Sequence, residues 1–116
     1  MTDLQELHLK ALQKYGNRCI LYSRLPEELK DALERYADFL FDTIDMAHIL
    51  GRGAYPHLRL DIDNVVMLNR YSHTMLDQYR HPITGKMQNK ETALEWWKYI
   101  VGNEQFYRLM EKSNGR

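Results

Sequence analysis

The stretch DMAHILGRGAYPHLRLDIDNVVMLNRYSHTMLD, residues 45–77, decides how this chain is read. Its entrance favours a strand over about 43–49, because Thr43 and Ile44 are β-branched. Gly51, Gly53 and Pro56 then sit among polar residues and predict a loop between Leu50 and Asp61. Asn64-Val65-Val66-Met67-Leu68 is a short apolar run and the best second strand. Arg70 to Tyr79 suits a short helix, stopped by His81-Pro82 and Thr84-Gly85. The predicted order is strand, loop, strand, helix.

Working outward, Leu4, Leu7, Leu9, Leu12 and Tyr15 recur with helical spacing, which predicts a helix over 4–15 with Gly16 as its C-cap. Cys19 to Tyr22, CILY, is an apolar stretch short enough for a strand or an extended turn. Ser23 and Pro26 mark another helix start, with Glu27 and Glu28 near its positive end. Leu29, Leu33, Tyr36 and Ala37 continue its apolar stripe, and the run from Phe39 to Ile49 carries mixed signals. Beyond the central stretch, residues from about Lys90 to Glu111 read as helical with a break around Gly102. The expected fold class is α+β, in a single domain over 1–116.

Sixteen Lys and Arg balance sixteen Asp and Glu, so no global basic field is present. The balance hides a gradient. Residues 1–47 carry six cations against nine anions, whereas residues 48–90 carry six against three and hold four of the five histidines. A local basic patch of this kind can meet phosphate, within the reach that salt screening allows. One cysteine, Cys19, excludes an internal disulfide and a four-cysteine zinc site. The longest apolar runs, such as Phe39-Leu40-Phe41, are too short to span a bilayer, and MTDLQELHLK lacks the features of a secretory signal. A cytoplasmic protein with no membrane partner is the expectation.

The order His48, Asn64, His73 carries a more specific signal, together with AHIL-x-R at 47–52, D-x-D-N-V-V-x-L at 61–68 and nine positions from Asn64 to His73. This pattern resembles the HNH endonuclease family, small nucleases built on a ββα-metal motif and common in phages and mobile elements. WWKYIVGNEQFYRLM at 96–110 is also similar to the segment that follows the motif in some phage-type relatives. The resemblance implies a ββα-metal core at about 43–80 flanked by helices. It implies that His48 is the general base, since imidazole titrates near neutral pH. Asn64 would brace the loop behind that base, and His73 would open the metal-binding helix. Asp77, one helical turn later, would join His73 on a divalent ion. Mg, Mn, Ni, Co and Zn all suit such a donor set.

Three departures from the family pattern bear on these expectations. Many relatives place a metal-binding His or Asp immediately before the base, where this chain has Ala47. Asp45 is the substitute carboxylate, about 6.5 Å further along a strand. Many relatives also carry a zinc knuckle of two Cys-x-x-Cys pairs, whose stations here are Cys19, Tyr22, Asn69 and Ser72. One thiol cannot hold that zinc. Finally, the insert between Cys19 and Asp45 is long and carries Glu27, Glu28, Asp31 and Glu34, which unsuits it as a phosphate-facing surface.

Phosphate contacts are expected from Arg52, Arg59, Arg70 and Arg80, with Arg52 favoured four residues after the proposed base. His57 and His81 are weaker candidates for metal or phosphate, and Trp96 and Trp97 for base stacking or for closing the core. The implied function is metal-dependent hydrolysis of DNA phosphodiesters, as nicking or double-strand cleavage. Two-strand cleavage would suit a homodimer, although no heptad pattern marks one. The alternatives are a non-catalytic DNA-binding protein on the same scaffold and a protein-interaction module of a mobile element.

Overall fold

A computed structural model describes residues 1–37, 43–51 and 53–114 as a mixed α+β fold, so Arg52 and the run 39–41 lie outside the described residues. Three helices come first: α1 (Asp3–Tyr15), α2 (Ile20–Arg24) and α3 (Glu27–Tyr36). Strand β1 (Ile44–His48) is followed by short 3-10 turns at Pro56–Leu58 and Ile62–Asn64, then by β2 (Val65–Asn69) and α4 (Arg70–Asp77). Helices α5 (Lys90–Val101) and α6 (Asn103–Asn114) complete it. Among the described residues, no helix is long and apolar enough to cross a membrane.

The two strands pair antiparallel, with Asp45 opposite Leu68, Ala47 opposite Val66 and His48 opposite Val65. Every residue of β2 is buried, because helices cover both faces of this small sheet. Val65 and Met67 pack under Leu7 and Ala11 of α1, while Val66 and Leu68 join the main core with Leu21, Leu33, Trp97 and Ile100. An uninterrupted apolar run is what burial on two faces requires.

Helix α1 begins with a reciprocal cap, in which Thr2 Oγ1 accepts from the Gln5 amide and Gln5 Oε1 accepts from the Thr2 amide. It ends at Gly16, and α5 is broken from α6 at Gly102. These glycines have φ of 78° and 90° with extended ψ, a region closed to side chains bearing a Cβ. The CILY segment departs from expectation, since its residues from Ile20 onward are helical in α2. A five-residue helix is too short to form alone, and it is held by burial of Ile20 and Leu21 against β2 and α5.

A neutral polar joint links α2, β2 and α4. Asn69 ends β2 and caps α4, its Oδ1 accepting from the Ser72 amide at 2.8 Å. Its Nδ2 lies 3.1 Å from Cys19 Sγ and 3.0 Å from Ser72 Oγ, and Ser72 Oγ donates onward to the Pro82 carbonyl at 2.9 Å. All three side chains are buried. Tyr22 turns elsewhere, donating to Glu34 at 2.6 Å.

A charged clasp fastens the C-terminus. Asp63, nearly buried, accepts from Arg108 at 3.1 and 3.2 Å and from Lys112 at 2.9 Å. Hydrogen bonds from Arg108 outweigh burial and, with Lys112, hold its carboxyl down at about 2. Its depressed ionisation contributes stability that is complete above about pH 4 and lost as pH falls through about 2. The stability gap between wild type and Asp63→Asn should therefore shrink across that window. Thermal midpoints of both proteins measured through the acid range check it, and a constant gap would show that the clasp does not act through charge.

Candidate functional site

His48 is the last residue of β1, where the chain leaves the sheet for the long connection to β2. Its Nε2 lies 2.8 Å from the Arg59 backbone carbonyl. A carbonyl only accepts, so Nε2 carries the hydrogen, and in the neutral ring the lone pair is on Nδ1. The connection that presents Arg59 is shaped by Asn64, which is fully buried. Asn64 Oδ1 accepts from the Leu50 amide at 2.7 Å, and its Nδ2 donates to the Leu50 and Leu58 carbonyls at 3.0 and 3.1 Å. Its own carbonyl accepts from the Ile49 amide at 2.9 Å. One side chain thus ties both ends of the first half of the connection to the start of β2.

On α4, the i,i+4 spacing puts His73 Nε2 3.2 Å from Asp77 Oδ2. The other ring nitrogen, Nδ1, lies 3.1 Å from Asp45 Oδ2. Asp45 is held in turn by Arg70, whose Nη2 and Nε approach its two oxygens at 3.0 and 3.2 Å. The hydrogen bond to Asp77 raises the His73 pKa above its ordinary value against the effect of burial, and Asp45 adds to the rise. Burial pushes the Asp45 carboxyl up, but Arg70 and His73 outweigh it and leave it below the ordinary range. Asp77 closes α4, where the helix dipole disfavours a carboxylate, and its partner there is the His73 ring.

Two ligands at right angles on one ion, each about 2.1 Å from it, stand about 3.0 Å apart. The 3.2 Å between His73 Nε2 and Asp77 Oδ2 fits such a pair. Without an ion Nε2 donates to Asp77; with one in that place, a hydrogen on Nδ1 directed at Asp45 would leave the Nε2 lone pair for the ion. Asp45 faces the opposite ring nitrogen, so in this arrangement it orients the imidazole and is not beside Asp77. Among the described residues, no group of three or more His, Cys, Asp or Glu side chains is arranged to hold an ion. His73 and Asp77 are two possible donors, a number that would suit a hard cation completing its shell with water or other oxygens.

His48, His73 and Asp77 line one cavity of about 780 Å³ between α1, β1 and α4. Leu4, Gln5 and His8 form its far wall, with Trp97 and Tyr79 at its side. Sequence reasoning missed the α1 residues and Tyr79, because only the packing of α1 across the sheet brings them there. The arginines separate into three kinds. Arg70 is committed to Asp45, and Arg80 donates to Gln78 and to the Gly85 carbonyl. The Arg59 guanidinium makes no hydrogen bond or ion pair among the described residues, although its carbonyl serves His48. His81 accepts from the Ile83 and Thr84 amides and sets its ring edge-on to Trp96, a turn-forming role. His57 is exposed and near Tyr55, while Trp97 is buried in the core.

No protein-family model, curated protein or solved structure matches this chain. Its geometry has to carry the functional conclusion. The Asn64 brace is directly measurable. Asn64→Ala leaves the Leu50 amide and two carbonyls without their partner and should cost about 3 kcal/mol. Urea unfolding checks this, and a loss below about 1 kcal/mol would mean that water or a shifted connection replaces the brace.

Proposed function

We propose that the chain is a metal-dependent endonuclease of the HNH type, hydrolysing DNA phosphodiester bonds by nicking or double-strand cleavage. The observation that carries this is one cavity lined both by a histidine with its Nε2 anchored, His48, and by the metal-compatible pair His73 and Asp77. In this reading the core of 43–80 is a ββα-metal motif. The bound ion, one of Mg, Mn, Ni, Co or Zn, would offset charge on the phosphoryl and leaving oxygens.

The chain's own residues do the rest. His48 Nδ1 takes a proton from water as the water oxygen bonds to phosphorus and a phosphorus–oxygen ester bond breaks, and the departing alkoxide takes a proton from solvent. The Arg59 carbonyl stabilises the imidazolium so formed, through Nε2–H. Asn64 keeps that carbonyl in position by fixing Leu50 and Leu58 around it. His73 and Asp77 would hold the ion, and Asp45 with Arg70 would set the tautomer of His73 from behind, the arrangement that often tunes metal-binding histidines. Arg59 meets backbone phosphate, as does Arg52 by its place in the sequence.

A second reading, DNA binding without cleavage, draws on Ala47. That residue is fully buried in the core, so its position offers no donor beside the base. Plasmid cleavage in each metal separates the two. His48→Ala should lose about 10²–10⁴-fold in rate while keeping its fold and DNA affinity. Equal rates for mutant and wild type would remove His48 from the chemistry, and binding without cleavage in any metal would favour the second reading.

The ion is tested separately by calorimetry at fixed pH. His73→Ala and Asp77→Ala should each abolish measurable binding, whereas Asp45→Asn should weaken it about 10- to 100-fold. Abolition by Asp45→Asn as well would make Asp45 a ligand. For phosphate contact, Arg59→Ala should weaken DNA binding and flatten its dependence on salt by about one counterion, while Lys10→Ala on the acidic half leaves both unchanged.

A further inference from the structure

Tyr79 stands where no structural task explains its side chain. It follows α4 with φ of 58°, and among the described residues no other residue bearing a Cβ has a positive φ. That region disfavours an aromatic residue and favours Asn or Gly. The surrounding backbone nevertheless pins it there: its amide donates to the Leu76 carbonyl at 3.0 Å, and its carbonyl accepts from the Gln88 amide at 3.0 Å. The residue is 48% exposed, and its side chain has no hydrogen bond, ion pair or ring partner among the described residues. Two other exposed tyrosines near the C-terminal helices are tied down, Tyr99 to the Arg24 carbonyl and Tyr107 beneath the Lys98 ammonium, while Tyr36 is exposed but borders neither cavity at the site.

The position of Tyr79 gives this exposure a use. It borders the cavity that holds His48, His73 and Asp77, and also a smaller hollow of about 180 Å³ walled by Leu50, Tyr55, Leu94 and Trp97, with Lys90 on its lining. Tyr79 is therefore shared by the two. Granting the phosphodiester reading above, the geometry points to Tyr79 as a base-stacking residue and to DNA that is unpaired at the cut as the substrate class. A strand whose phosphate lies at His48 passes the adjoining base over the Tyr79 ring, beside the smaller hollow. An aromatic face accepts any base, so this contact selects for an unstacked base and not for a sequence. In an intact duplex the same base is stacked between neighbours and cannot reach the ring without being turned out.

The test compares binding of a short oligothymidylate with that of an abasic deoxyribose-phosphate oligomer of the same length, by fluorescence anisotropy in chelator. Wild type should prefer the base-bearing strand by about 10-fold. Tyr79→Asn, which suits the left-handed backbone, should fold with an unchanged or raised thermal midpoint and lose that preference, while Tyr79→Phe keeps it. A folded Tyr79→Asn that retains the full preference overturns the inference. So does a wild type that binds both oligomers equally, an outcome that leaves phosphate recognition standing. A wild type that binds neither overturns the nucleic-acid reading and this inference together.

Discussion

The carboxamide of Asn64 is the constraint on which the site depends. The connection from Ile49 to Asn64 is long for a compact domain, and long connections of irregular backbone are otherwise costly to order. Asn64 answers three backbone groups of that connection from a position with no solvent access. Because water cannot compete there, each bond is worth more than it would be at the surface. The connection is thereby given one shape, and that shape presents the Arg59 carbonyl to the His48 ring. The tautomer of His48 is thereby set by a residue that makes no hydrogen bond to the imidazole itself.

The same turn is secured from outside. Asp63 and Asn64 are neighbours on one 3-10 turn with opposite tasks. Asn64 faces inward to neutral backbone groups, while Asp63 accepts from the cations of α6. Gln105 extends the fastening, donating to the Asp63 carbonyl and accepting from Lys14 and Tyr15 of α1. The first and last helices therefore meet at the turn that leads into β2. This gives a short chain a closed circuit around a sheet of only two strands, which would be marginal by itself.

Much of this was legible in the sequence, and the failures are physical. Helical spacing found α1, and Gly16 and Gly102 marked ends that only glycine permits. The apolar run Val65-Val66-Met67-Leu68 marked the second strand, whereas the capping of α4 by Asn69 went unread. CILY was ambiguous because a short apolar run has no period, and its helix exists only through burial. The pairing of Arg70 with Asp45 joins residues from different elements, a relation that spacing along the chain does not encode. The partner of His48 is a carbonyl, which every residue possesses and none advertises. Tyr79 was unreadable for the opposite reason: its backbone conformation runs against its residue type, which is where local rules fail at sites shaped for something other than stability.

The joint of Cys19, Asn69 and Ser72 has a consequence for how such a chain can change. Asn69 serves at once as strand end, helix cap and donor to two buried partners. A single exchange of Asn69 or Ser72 for cysteine would remove part of that network without assembling the four thiolates that a zinc ion requires. Because Cys19, Asn69 and Ser72 share one network, the effects of exchanges at these three positions should not add. A change at this corner is therefore felt by a strand end, a helix start and the turn at Pro82 together, and compensation has to come from within the same three side chains.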